Sequence, residues 1–331
     1  MKSRIAMKLR VVMGLALACA ATVCAAQGGW SPQHNVEIVV GSAPGGSNDK
    51  TGRQVEHILV EHKIVSVPLT VVNKPGGGST LAFNYMSQHP GDAHYLMVGT
   101  TALLSAHIVG NSKLSYRDFT PIASLFNDYV VFAVNAESPI KTGKDLIARL
   151  KKDPKSVSIG FATALGSHNH IAAGLLAKAV GVNPRELKVI AYKGSAEAIT
   201  NVLGGHIDLV TTAAGNAAPH VAAGRMRVIA VAGPQRFGGA LAAVPTWKEL
   251  GVDLVFGGWR SIMGPKGLSA AQVAYWEGAL EKATKVPAWR EDLQRNFWSD
   301  DFVKSVQFRK DLEKDYADMK AVLVDLGLAK Q

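Results

Sequence analysis

The chain has 331 residues, 47% of them hydrophobic and 19% charged, with 36 basic against 26 acidic side chains. That balance excludes a disordered chain, and the length suffices for two domains of ordinary size. Both cysteines, Cys19 and Cys24, lie near the N-terminus, so disulfides, thiol catalysis and cysteine-ligated metals are excluded for the rest of the chain.

Residues 1–26 read as a secretory signal peptide. Lys2, Arg4, Lys8 and Arg10 precede an apolar stretch at 11–18, and small residues follow up to Cys24-Ala25-Ala26. A basic region, an apolar region and a small-residue cleavage site in that order define such a peptide, and the apolar part is too short to span a bilayer. Cleavage is expected after Ala26, and the residues before either cysteine fit a lipoprotein signal poorly. Export then lowers the net charge from +10 to +6, because four basic and no acidic residues leave. A modest positive surplus can draw small anions to a cleft. No basic run is interleaved with aromatics, so nucleic acid is not an expected partner.

The first strand, at 36–40, is the run Val36-Glu37-Ile38-Val39-Val40. It enters Gly41-Ser42-Ala43-Pro44-Gly45-Gly46-Ser47-Asn48-Asp49, which reads as a tight turn and a helix start. A helix at 50–62 follows, with Val55, Ile58 and Leu59 on its apolar face. A glycine turn entering a helix leaves free N–H groups at the positive end of the helix dipole, which suits an anion. Neither the P-loop nor the GxGxxG spacing is present, and the same pattern also describes a turn that binds nothing. Recurrence favours a site: strand, polar loop and helix return at 71–80, 95–101 and 159–168. Such loops on the carboxyl ends of parallel strands can converge on one crevice.

Further strands are expected at 69–72, 95–98 and 120–125, with helices at 80–87 and 102–109. A new strand is expected at 129–134, then a helix at 145–151. A second alternating run follows: strand 158–162, helix 170–180, strand 188–191, helix 196–203, and strands 207–211 and 227–231. The last part has a short helix at 247–250, a strand at 253–259 and a turn at 263–269. Helices are then expected at 270–284 and 288–297, and a final one buries Leu312, Tyr316, Met319, Leu323 and Leu326. Alternation of this kind implies α/β layers with mainly parallel sheets. Two such runs with a helical tail suggest two lobes with a ligand between them.

In this order the residues resemble the periplasmic solute receptors of tripartite tricarboxylate transporters, the Bug or TctC-like family. Ala43-Pro44-Gly45-Gly46-Ser47-Asn48-Asp49 with Arg53 resembles the family's "P-G-G-x-x-D…R" opening. Val72-Asn73-Lys74-Pro75-Gly76-Gly77-Gly78 resembles its "V-x-N-[RK]-P-G-A-G-G" loop. Tyr116–Ala123 (Tyr116-Arg117-Asp118-Phe119-Thr120-Pro121-Ile122-Ala123) resembles a shortened "Y-D-P-x-K-D-F-x-P-V-A". Gly166-Ser167-His168-Asn169-His170 resembles "G-S-x-x-H", and Tyr192-Lys193-Gly194-Ser195-Ala196 with Gly204-Gly205-His206-Ile207-Asp208 resembles "Y-K-G-x-x-P-A…G-x-V-D". Val244-Pro245-Thr246, Trp259 and Pro265 close the series. Ser42-Ala43 and Glu197 depart from the pattern, at the pocket wall and at a helix start.

The resemblance implies a type II periplasmic-binding-protein fold in which each of two lobes is a mainly parallel sheet flanked by helices. Lobe 1 would comprise 27–126 plus 251–331, and lobe 2 would comprise 127–250. It also implies a ligand carboxylate held by the first-lobe glycine loop and the facing helix start of the second lobe. The expected ligand-binding residues are Gly45, Gly46, Ser47, Asn48, Asp49, Thr100, Thr101, Gly166, Ser167 and His168.

Read individually, Ser47, Asn48 and Asp49 are N-cap types, a role that contributes about 1 kcal/mol. Asp49 would repel an anion and is assigned to structure or water positioning. Gly45 and Gly46 let backbone approach the ligand. Thr100 and Thr101 end a strand and either reach the crevice or form a plain turn. His168 and His170 at a helix start lie about 200° apart by rotation and cannot share one ion, so no metal is expected. Arg260, beside Trp259, is a candidate anion partner but reads as an exposed arginine.

Ser42, Ser47 and Ser167 lie near glycines, but no Gly-x-Ser-x-Gly surrounds them and no base with an orienting third group can be singled out. No catalytic residue and no cofactor is expected. The expectation is therefore a monomeric receptor that hands a small carboxylate to membrane permease subunits. The alternatives are an exported hydrolase and a sensory carboxylate-binding protein.

Overall fold

Short apolar runs build the first half of the fold, the inner ones buried on both faces as parallel strands require and the edge run only partly. In the computed structural model, which describes residues 29–330, these are β1 (Val36–Val40), β2 (Leu69–Asn73) and β3 (Tyr95–Thr100). The helices that follow them are α1 (Ser47–Glu61), α2 (Thr80–Ser87) and α3 (Ala102–Ile108). The expected signal peptide and both cysteines lie outside the described residues. β1 runs parallel to β2 and β3, one on each side.

The second half repeats the plan. It comprises β4 (Phe119–Asn135), α4 (Gly143–Lys152), β5 (Ser158–Ala162), α5 (His168–Ala179) and β6 (Lys188–Tyr192). It continues through α6 (Ser195–Leu203), β7 (Leu209–Ala213), α7 (Ala214–Ala222) and β8 (Met226–Val231). The chain then returns through β9 (Gly257–Pro265), α8 (Ala270–Lys285), α9 (Pro287–Asn296), β10 (Trp298–Lys304) and α10 (Ser305–Asp325). The strand order is β2-β1-β3-β9-β4-β7-β5-β6, with β5 parallel to β6 and β7. This is a two-lobed α/β fold whose two parallel cores are joined by antiparallel strands.

The joint is β4. Up to Tyr129 it pairs antiparallel with β9, so that Phe126 faces Arg260 and Asp128 faces Gly258. From Val130 onward it pairs with β7 and β8 instead. The return path lies alongside, with the Ala232 amide on the Val130 carbonyl and the Phe256 amide on the Ala232 carbonyl, both at 2.8 Å. Separate cores lie on either side: Val39, Phe83, Met97 and Met263 in one, Phe132, Leu146, Ile159 and Trp247 in the other. The end of α10 joins them, with Leu323 and Leu326 between Ile108 of α3 and Ile171 of α5.

Several expected elements are corrected. The strands at 120–125 and 129–134 are one strand of 17 residues, because Phe126-Asn127-Asp128 contains no breaker and Pro121 is absorbed at a register shift. The short helix at 247–250 is only turns, closed by Gly251 at φ 83°. The strand at 253–259 starts later and runs through the expected turn to Pro265, whose carbonyl accepts from Thr120 Oγ1 at 2.7 Å. The strand at 207–211 is shifted to Leu209–Ala213. Tyr316 is half-buried, its hydroxyl on His107 Nδ1 at 2.7 Å. α7 and β10 were not anticipated.

Candidate functional site

A narrow polar cavity opens between the two halves. It is lined by Ser42, Gly46, Ser47, Asn48, Ser79, Thr100, Ala102, Ala162, Thr163, His168, Asn169, Ser195, Ala213, Asn216 and Arg260. These residues come from the starts of α1 and α3 on one side and of α5, α6 and α7 on the other. The halves touch here: a Cβ on Gly46 would stand 3.6 Å from Ser195 Oγ, and one on Gly194 would stand 3.2 Å from Ala43 Cβ.

The helix starts at the cavity are uncapped. The N-cap residues of α1, α5, α6 and α7 are Gly46, Ser167, Gly194 and Ala213, and none supplies a side-chain cap. The first intrahelical bonds are Lys50 to Gly46 at 3.0 Å, Ile171 to Ser167 at 2.9 Å and Ala198 to Gly194 at 3.3 Å. The amides preceding each therefore have no partner within their own helix. Three of the helices facing elsewhere are closed differently, while α9 starts at Val286 without a side-chain cap. α4 and α8 carry capping boxes, Thr142 with Asp145 and Ser269 with Gln272. The Ser305 amide that opens α10 donates to Glu277 Oε1 at 2.8 Å. Uncapped amides with aligned dipoles gathered on one cavity make it electropositive without a surface cation.

Asp49 builds the glycine loop. Its Oδ2 accepts from the Gly45 amide and from Arg53 Nε, and its Oδ1 accepts from Asn73 Nδ2, each at 2.9 Å. Burial pushes its carboxyl up, but these donors outweigh that and hold it below the usual value. Gly45 has φ 84°, a conformation that favours glycine. Ser47 is not a cap: its Oγ donates to Asp128 Oδ2 at 2.5 Å.

Arg260 is buried, correcting the expectation of an exposed side chain; it is 1% exposed. Its Nη2 donates to Asp128 Oδ2 at 2.9 Å. Burial pushes the Asp128 carboxyl up, against Arg260, Ser47 and Lys50. His168 faces the cavity, where burial and then the Arg260 charge push it down to about 3. His170 turns away: it stacks on Phe161 at 4.7 Å, its Nδ1 accepts the Gly166 amide at 2.9 Å, and burial pushes it down to about 4. Both rings are neutral at physiological pH. Among the described residues no group of three or more His, Cys, Asp and Glu side chains is placed to hold a metal.

Of the expected site residues, Gly46, Ser47, Asn48, Thr100 and His168 line the cavity together. Gly45, Asp49, Thr101, Gly166 and Ser167 do not line it. The Gly166 amide is taken by His170. Ser167 lines a separate small recess with Gly78 and Leu165. Thr100 Oγ1 accepts the Ala102 amide at 3.2 Å, so it serves the start of α3. Sequence reasoning missed Ser79, Asn169, Ser195, Ala213 and Asn216 as lining residues. Ser195 had a signal, since Gly194-Ser195 repeats the glycine-then-helix pattern of Gly46-Ser47.

Lys50 Nζ crosses the cleft to the Gly215 carbonyl at 2.9 Å. Pro219, inside α7, has no N–H to give to that carbonyl four residues earlier. The vacated acceptor is thus offered to the other half.

A two-lobed α/β fold with an interlobe cavity ringed by helix starts is that of a periplasmic solute-binding protein. A family profile, "Tripartite tricarboxylate transporter family receptor", matches residues 52–328. The "UPF0065 protein in gbd 5'region" of Cupriavidus necator is 30% identical over 320 residues, 95% of this chain and 94% of that one. The chain belongs to the tripartite tricarboxylate transporter receptor family. Among solved structures, an unliganded TctC solute-binding protein from Polaromonas is 27% identical with a TM-score of 0.64, covering 88% of this chain and 98% of that one. The R. palustris protein Rpa4515 with adipate is 23% identical with a TM-score of 0.82, covering 90% and 99%.

Proposed function

We propose that this receptor closes its two lobes on a small carboxylate and presents it, without chemical change, to the permease subunits of a tripartite tricarboxylate transporter. The observation that carries the reading is the set of uncapped helix starts of α1, α5, α6 and α7 around one polar cavity. A micromolar ligand needs about 8 kcal/mol. Helix ends contribute roughly 0.3–1 kcal/mol each, and hydrogen bonds to a charged ligand about 1.5–3 kcal/mol each. Two helix ends and three or four such bonds reach that scale after the costs of ordering.

On this reading lobe 1 comprises 27–126 plus 251–331 and lobe 2 comprises 127–250, with β4 and the 232–256 return as the hinge. The Lys50–Gly215 contact and the close approach of Gly46 to Ser195 support a closed form. The binding set is Gly46, Ser47, Asn48, Thr100 and His168, with Gly45, Asp49, Thr101, Gly166 and Ser167 shaping the adjoining loops. The receptor acts as a monomer in the periplasm after loss of its signal peptide. A hydrolase is disfavoured because Ser47 gives its proton to a carboxylate already engaged by Arg260, with no histidine between them.

Thermal-shift screening of the mature protein against a carboxylate library tests this. A ligand at 100 times its dissociation constant adds about 2.7 kcal/mol of stability. Recovery of the ligand unchanged supports a receptor; no shift with any carboxylate, or product from multiple turnovers, overturns it.

A further inference from the structure

β8 ends the sheet of the second half on one side. It pairs antiparallel with β4, and on its other side only Val231 is met, by the segment 245–247. There the Val231 amide donates to the Pro245 carbonyl and the Trp247 amide to the Val231 carbonyl, both at 3.0 Å. Pro245 has no N–H with which to continue that ladder. The edge at 226–229, about 13 Å long, is therefore left without a neighbouring strand. The Ala136 amide donates to the Arg225 carbonyl, so alternation along the antiparallel pair turns the backbone groups of Arg225 and Arg227 toward β4 and those of Met226 and Val228 outward.

A groove runs along this edge. Met226, Arg227, Val228 and Ile229 line it in succession, although neighbouring side chains point to opposite faces of the sheet, which only a cleft beside the backbone permits. Its walls are apolar, with Val221 and Val244 toward one core and Leu250 toward the other. Its charges are all of one sign: Lys141, Lys144 and Arg227 line it, and no carboxylate does. Both lysines are exposed, and the nearby Asp145 carboxylate is engaged by the Lys141 and Thr142 amides. Arg227 gives Nη2 to the Ala136 carbonyl at 2.8 Å, and its buried Nη1 has no partner.

Unpaired N–H and C=O groups at a sheet edge are a template for another strand, and the charges beside them select which one. A second copy of this chain would bring the same three cations against the first. Residues 1–28 carry four basic and no acidic side chains, so they are disfavoured for the same reason. We propose that the free edge of β8 is a docking site for an extended, acidic segment of a partner protein. The segment adds to the sheet as a further strand, its main chain on Met226 and Val228, its apolar side chains in the groove and its carboxylates on Lys141, Lys144 and Arg227. The groove shares no lining residue with the interlobe cavity, so docking here leaves the ligand site open.

The test is fluorescence anisotropy of the mature chain with three dye-labelled hexapeptides: alternating Glu and Val, alternating Lys and Val, and the Glu-Val sequence N-methylated throughout. Two or three surface ion pairs, each weak alone, correspond to roughly ten-fold in affinity. The Glu-Val peptide is expected to bind more tightly than either of the others by roughly that factor, and to slow hydrogen exchange of the Met226 and Val228 amides. Lys141→Glu with Lys144→Glu should reverse the preference between the Glu and Lys peptides. It should not lower Tm, because the start of α4 favours acidic side chains. Absence of binding at about 1 mM Glu-Val peptide, equal binding of the Lys-Val peptide, or exchange protection away from β8 overturns the proposal. Equal binding of the N-methylated peptide also overturns it, since the groove would then take amphipathic anions and not a strand.

Discussion

If the cleft amides are kept uncapped for a ligand, giving one helix a cap should strengthen the protein and weaken the receptor. Ala213 is the place to do it. It has N-cap geometry, φ −69° and ψ 145°, at the start of α7, and it lines the cavity. In Ala213→Ser the new Oγ can accept from the amide of Gly215 or Asn216. The exchange of Ala for Ser at such a position is worth about 1 kcal/mol, with a range of roughly 0.5–2. For a chain of this class that is a rise of roughly 2–4 °C in Tm. The amide so engaged is lost to the ligand, at about 1.5–3 kcal/mol for a charged acceptor, or roughly 10- to 150-fold in Kd. Urea denaturation without ligand reads the first quantity, and calorimetric titration with the best ligand from the screen reads the second. Val286→Ser, which offers a cap to α9 away from the cavity, should leave Kd unchanged. A stabilised Ala213→Ser protein with undiminished affinity would refute the role given to these amides.

Asp49→Ala removes the acceptor for three donors and should cost about 2–4 kcal/mol in urea denaturation, after discounting the half-exposed Arg53. Because the folded Asp49 lies below its ordinary 3.8, its contribution is complete above that pH and is lost as pH falls through the lower folded value, so Asp49→Asn should flatten the acid limb of the stability profile. His168 and His170, at about 3 and about 4, lie below the ordinary 6.5. The stability they provide is present above 6.5 and lost as pH falls toward those values, and their ring signals in NMR should not titrate between about pH 8 and 5. Pro219→Ala restores the N–H that competes with Lys50 for the Gly215 carbonyl. It should weaken ligand affinity several-fold while leaving or raising the unliganded Tm; an affinity equal to that of the unsubstituted chain would remove Lys50–Gly215 from the closed form.

The alternation of apolar runs and polar loops was enough to find β1, β5 and the helices behind them, because a strand buried on both faces leaves a run such as Val36–Val40 that little else can use. The joint was harder to see. β4 carries Asn127 and Asp128 at the point where it changes partners, and two polar residues in an apolar run look like a break between strands. Here they mark the crossing, and Asp128 is tolerated because Ser47 and Arg260, distant in sequence, close on it. α7 was missed for a related reason. Ala214-Gly215-Asn216-Ala217-Ala218-Pro219 has little amphipathic contrast and contains a proline that normally argues against a helix. The helix persists because its first half, Ala214 to Ala218, is buried all round, and the carbonyl that Pro219 frees finds Lys50.

The same logic separates the parts of the site that sequence could and could not provide. Glycines before helix starts pointed to Gly46 and Ser47, but a serine at a helix start is ordinarily read as a cap, and here the hydroxyl serves Asp128 instead. A missing cap leaves no motif. Gly194 and Ala213 are informative only beside Thr142 and Ser269, which cap two of the helices that start away from the cavity. Away from the cavity α9 also begins without a side-chain cap, at Val286, so a missing cap alone marks nothing; what marks the site is that four such starts converge. Their concentration on the wall of one cavity, with Arg260 behind them, is what a site for anionic groups requires of the backbone.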